Sequence, residues 1–102
     1  MRTLLYVDFP YGGPFGEAMT DAMRALAVSI TAEPGLAGKV WTESPETGEA
    51  GGVYQFQTRA DAEAYLQKHT TRLREWGIPE VRAKLFTVNE PLSALSTPKQ
   101  PL

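Results

Sequence analysis

The chain has no cysteine and a single histidine, His69. Without cysteine there is no disulfide, no thiolate ligand and no cysteine nucleophile. With one imidazole, a zinc site would draw nearly all its ligands from carboxylates, so no metal site is expected. An excess of positive charge is missing too. Ten Lys and Arg stand against 12 Asp and Glu, for a formal net charge of −2. No basic block or stripe is present, which argues against nucleic acid as a partner. No apolar run approaches the ~20 residues of a membrane-spanning helix. The start, MRTLLYVDF, has an apolar run too short for a signal-peptide core, and no small-residue cleavage site follows; the expectation is a cytoplasmic protein without a membrane partner. Also lacking are a Gly-x-Ser-x-Gly elbow, a P-loop and a dinucleotide fingerprint.

At 102 residues the chain is one domain, of a size that buries roughly 65% of its unfolded surface. Thr3 to Phe9 predicts a strand, with Leu4, Tyr6 and Asp8 on one face and Leu5, Val7 and Phe9 on the other. A helix is expected next, with Gly13 as N-cap, Pro14 at its first position and an apolar stripe of Phe15, Met19, Ala22, Met23, Leu26 and Ile30. Pro34-Gly35 ends it. Leu36 to Glu43 and Ala50 to Gln57 form a hairpin around Ser44-Pro45-Glu46-Thr47-Gly48, and Gly51-Gly52 signals a bulge or a close backbone approach. Thr58 and Asp61 cap a second helix, whose inner face carries Ala62, Tyr65, Leu66, His69, Leu73 and Trp76. It stops at Gly77, and Val81 to Val88 supplies a fourth strand. From Asn89 the chain, with Pro91, Pro98 and Pro101, is expected to be irregular; the domain is taken as 1–93 and the tail as 94–102.

The order β-α-β-β-α-β predicts an α+β, ferredoxin-like fold: a four-stranded antiparallel sheet with two helices on one face. The other face carries apolar residues as well and would expose several hundred Å2 in a monomer. A homodimer burying sheet against sheet resolves this.

The residues able to carry chemistry converge on the hairpin and the second helix. His69 faces the sheet, where it is either a general base or a half-buried histidine hydrogen-bonded to its surroundings. Trp41 and Glu43 share one face of the second strand, and Tyr54 and Phe56 one face of the third. Trp41 and Tyr54 carry polar handles that could orient a flat aromatic, or they belong to the core. Glu43 either faces the helices, with His69 or Arg72 as partner, or meets water at the edge. Arg72, three residues after His69, is either a tuner of that histidine or a solvated charge.

The segments GPFGEAM at 13–19, EPG at 33–35, KVWTES at 39–44, EAGG at 49–52, YLQKHTTRL at 65–73 and VNEPLS at 88–93 together resemble the YdhR-like monooxygenases, a family of the dimeric α+β barrel group. The similarity spans about Leu4 to Ser93. It implies the same ferredoxin-like dimer. It also implies a cofactor-independent monooxygenase acting with molecular oxygen on a small quinol- or anthrone-like aromatic, in a pocket between sheet and helices. On that reading His69 is the catalytic base, and Trp41, Tyr54, Glu43, Arg72, Phe15, Met19 and Met23 bind or surround the substrate. Two alternatives stand beside it: a non-catalytic dimeric binding protein for an aromatic metabolite, and a haem-binding or haem-degrading protein. The first strand carries no Asn, one of the residues that haem-degrading relatives use.

Overall fold

In the computed structural model, which describes residues 1–98, the chain runs β1 (Thr3–Pro10), α1 (Gly16–Ile30), β2 (Leu36–Ser44), β3 (Glu49–Phe56), α2 (Arg59–Glu75), β4 (Arg82–Thr87) and α3 (Glu90–Leu95). The strands form one antiparallel sheet in the order β2-β3-β1-β4. This is the ferredoxin-like α+β arrangement that the element order predicts.

Strand alternation decides what is buried. Leu5, Val7 and Phe9 of β1 lie against Ala50, Tyr54 and Phe56 of β3, and Met19 of α1 with Ala62, Tyr65 and Leu73 of α2 close over them. Burial of each large apolar side chain here contributes roughly 1.5–3 kcal/mol. The opposite face stays open, with Tyr6, Val40 and Phe86 exposed on it. The β2–β3 turn closes where Gly48, at φ +70°, donates its N–H to the Ser44 carbonyl at 2.9 Å. Gly51 and Gly52 mark a close approach rather than a bulge. A Cβ on Gly51 would run into the Val7 carbonyl oxygen, and one on Gly52 would come within 2.6 Å of the Lys39 Cε. The irregularity of the hairpin lies on the other strand, between Leu36 and Gly38.

The capping of α2 is as expected: the Thr58 hydroxyl oxygen accepts the Asp61 N–H at 3.1 Å. Three expectations need correction. Gly13 does not cap α1, which starts at Gly16 with Phe15 as its N-cap. Gly13 takes φ +106° and stays outside the helix, and the terminal N–H is satisfied from across the fold, as described below. Trp76, the C-cap residue at the end of α2, is half exposed, although it still lines the cavity described below. The segment from Asn89 is not wholly irregular: the Asn89 side chain accepts the Leu92 N–H at 3.1 Å, and Pro91 sits in the first turn of α3, where a missing N–H costs nothing. Of the expected tail, residues 99–102, with Pro101, lie outside the described residues.

Candidate active site

The register places Lys39, Trp41 and Glu43 opposite Tyr54, Gly52 and Ala50, on the helix-covered face. This settles the face of the second strand. Trp41, Met19, Met23, Lys39 and His69 line one cavity of about 30 Å3, with Phe9, Tyr11, Leu26 and Ile78 among its other walls. That is room for about two waters. Met19, Met23 and Trp41 also line an adjoining groove of about 260 Å3 between α1 and β2, bordered by Arg24, Ala27 and Glu43. Three adaptable or flat side chains thus divide a small enclosed space from a larger open one.

His69 is 4% exposed. Helical spacing stacks it on Tyr65, one turn earlier, at 5.3 Å between ring centroids. Arg72, three residues on, holds its Nδ1: Nη2 lies 3.0 Å and Nε 3.3 Å away. A guanidinium only donates, so Nδ1 must present its lone pair and the ring proton must sit on Nε2. Burial, then Arg72 and Lys39, push the His69 pKa down to about 3. The imidazole is therefore neutral, and every buried side-chain polar atom among the described residues has a hydrogen-bond partner. Nε2 has no such partner, so it is not sealed off, and His69 lines the cavity.

Lys39 is the residue that the sequence reading missed. Its Nζ lies 3.4 Å from the Trp41 ring centroid and 4.5 Å from that of Tyr54. Both ring faces favour the ammonium. Burial, and then Arg72, bring the Lys39 pKa down to about 7. The signal was present: Lys39 stands two residues before Trp41, so the alternation that paired Trp41 with Glu43 includes it as well.

The other predicted residues divide. Arg72 stands behind His69 and also donates to the Tyr65 hydroxyl at 3.2 Å, whose own proton goes to the Tyr54 hydroxyl at 3.4 Å. Tyr54 is fully buried under Lys39 and lines neither the cavity nor the groove. Burial raises the pKa of both phenols, which stay neutral. Glu43 meets neither His69 nor Arg72: its Oε1 accepts the Gly16 N–H at 2.8 Å. It caps α1 from the neighbouring strand, where the helix dipole favours a carboxylate. Phe15 packs edge-on against Tyr11 at 5.5 Å and reaches the cavity only through that ring.

The arrangement therefore joins a lysine near its titration point, an N–H donor of fixed tautomer and a permanent cation behind it. They stand at the end of an apolar space with an indole on one wall. A protein-family model described as "Putative mono-oxygenase ydhR" matches residues 4–99. No curated protein matches the chain. The family match takes in β1 from its second residue, every element from there to α3, and the cavity with all its polar groups; the chain belongs to the ydhR mono-oxygenase family.

Proposed function

We propose that the protein is a cofactor-independent monooxygenase that oxidises a small, flat, electron-rich aromatic of the quinol or anthrone type. The observation that carries this reading is Lys39 beside His69 in the cavity between sheet and helices. A substrate of this class reduces oxygen itself once it loses a proton. The protein then has to supply a base, a donor for the oxygen atom that gathers charge, and a dry enclosure.

Lys39, with half its population neutral near pH 7, takes the proton. The His69 Nε2–H donates to the substrate oxygen, and Arg72 keeps that proton on Nε2. The donor is pre-aimed, so it need not reorganise as charge develops. Trp41, Met19 and Met23 flank the ring, which lies along the groove. For an anthrone, two C–H bonds of the methylene break, one atom of O2 becomes the new carbonyl oxygen, and the other leaves as water. The sequence reading gave the base role to His69. The proposal moves it to Lys39, because the only lone pair on the imidazole is engaged by Arg72. The same engagement argues against the haem reading, since a protonated Nε2 offers an iron no lone pair.

A second copy on the open sheet face belongs to this proposal. Tyr6, Val40 and Phe86 are 37%, 65% and 50% exposed there, an apolar surface that a two-fold contact would cover.

Oxygen uptake in an electrode cell, with a panel of reduced quinols and anthrones, tests the reading. Protein-dependent uptake supports it. No uptake above autoxidation across the panel would replace it with that of a binding protein for an aromatic metabolite.

A further inference from the structure

The polar end of the cavity is built from a lysine and a neutral imidazole, with a guanidinium behind the imidazole. Lys39 arrives from β2, and His69 and Arg72 arrive from α2. Arg72 bonds only to His69 and Tyr65 among the described residues, so its charge has no carboxylate partner. The carboxylates nearby are committed elsewhere. Glu43 is held by the Gly16 N–H at the far end of the groove, and Glu33, from the α1–β2 connection, pairs with Lys68 at 2.7 Å. Arg24, on the groove wall, is a further cation, paired with Asp21 at 3.3 Å on the exposed side of α1. Tyr54 and Tyr65 close the back as neutral phenols. Arg72 lines neither the cavity nor the groove, so its charge acts on a ligand through space from behind His69.

We propose that the site takes its ligand as an anion: a flat aromatic whose negatively charged oxygen lodges between Lys39 Nζ and the His69 Nε2–H, with its ring in the Met19, Met23 and Trp41 groove. The space matches this division, since about 30 Å3 admits an oxygen group and not a ring, while about 260 Å3 remains beyond. The charge has two possible sources. The ligand brings a carboxylate, or its own hydroxyl ionises on binding: the O–H bond breaks, and the proton goes to Lys39, forming the ammonium beside the new phenolate. The inference rests on the reading of this cavity as the substrate site, but not on oxygen chemistry.

Anaerobic titration calorimetry with 2-naphthoate, 2-naphthamide and 2-naphthol tests it, together with the absorbance of bound naphthol against pH. The expected result is at least about a ten-fold preference for naphthoate over naphthamide, or a naphthol pKa lowered by about one unit or more on binding. Either preference should shrink to about two-fold or less in Lys39→Met. Naphthoate preference alone identifies a carboxylate as the charge source, and a naphthol shift alone identifies the ionised hydroxyl. Equal affinity for acid and amide with an unshifted naphthol, or no binding of any probe, overturns the proposal, as does a preference that survives unchanged in Lys39→Met. The wild-type comparison stands even if that variant does not fold. Anion preference without oxygen uptake would remove the monooxygenase reading and leave this one. Oxygen uptake with no anion preference would do the reverse.

Discussion

Arg72 meets His69 at Nδ1, with Nη2 at 3.0 Å, and thereby fixes which ring nitrogen carries the proton. A single turn of helix creates an N–H donor on a residue that lines the cavity and a cation that resists protonation of the ring. His69 should accordingly stay neutral down to about pH 3 and carry its proton on Nε2. Long-range 1H–15N correlation spectra of the imidazole report both. A ring that titrates near 6.5, or one protonated at Nδ1, would contradict the arrangement.

The same depressed pKa has a thermodynamic consequence. Between about pH 3 and 6.5 the unfolded chain takes up a proton on His69 that the folded chain refuses. Stability contributed by this residue is thus full above pH 6.5 and falls as the pH drops toward 3. Lys39 acts with the same sign in a higher window: its contribution rises as the pH climbs from about 7 to 10.5. Urea denaturation at a series of pH values should show the acid slope reduced in His69→Phe and the alkaline slope reduced in Lys39→Met. Unchanged slopes in both variants would mean that neither group is desolvated.

Glu43 bonds the first N–H of α1, so Glu43→Ala should cost about 0.5–2 kcal/mol, the usual range for losing a helix cap. Glu43→Gln, which keeps an acceptor oxygen, should recover most of it. Chemical denaturation of the three proteins decides this. Equal stability of the alanine and glutamine variants would show that the contact is immaterial.

Gly51 is required by space. Its missing Cβ faces the Val7 carbonyl in the centre of the sheet, where no side-chain rotamer can relieve a clash. Gly51→Ala should lower stability by roughly 1–3 kcal/mol, in the range for overpacking a core, and should show as a drop in Tm. An unchanged Tm would mean that β1 and β3 can separate freely.

The exposed apolar residues of the open sheet face predict self-association through it. Phe86→Glu or Val40→Glu should shift the protein from dimer to monomer in light scattering at micromolar concentration, while far-UV circular dichroism is preserved. A wild-type protein that is already monomeric would exclude the sheet-to-sheet dimer.

Much of the fold was legible because period-two and period-3.6 patterns and their stop signals are local. The capping pair Thr58 and Asp61, the Gly48 turn and the inward faces of β1 and β3 follow from residues within a few positions of each other. The site was legible only in part. His69, Trp41, Met19 and Met23 do come together, because each lies on a buried face. Glu43 is exposed, as on its edge reading, and meets neither of the partners offered on the other; the N–H it bonds lies 27 residues away, and no local pattern shows where the α1 N-terminus ends up. Lys39 was overlooked because a lysine is a surface residue by default. Only the register opposite Tyr54 and Gly52 reveals that it lies flat under the helices. Tyr54 and Phe15 are aromatic, like substrate-binding residues, but packing uses them behind the cavity wall.

The most direct measurement is the rate of oxygen consumption against pH for wild type, Lys39→Met and Lys39→Arg, on one quinol or anthrone that the wild type turns over. If Lys39 is the base, the wild-type kcat/KM rises with pH and levels off above about 7. Both variants should then lose roughly 100- to 10,000-fold in rate, along with that pH dependence. Variants that keep the wild-type rate and profile would take the proton-accepting role away from Lys39 and contradict the account of the site.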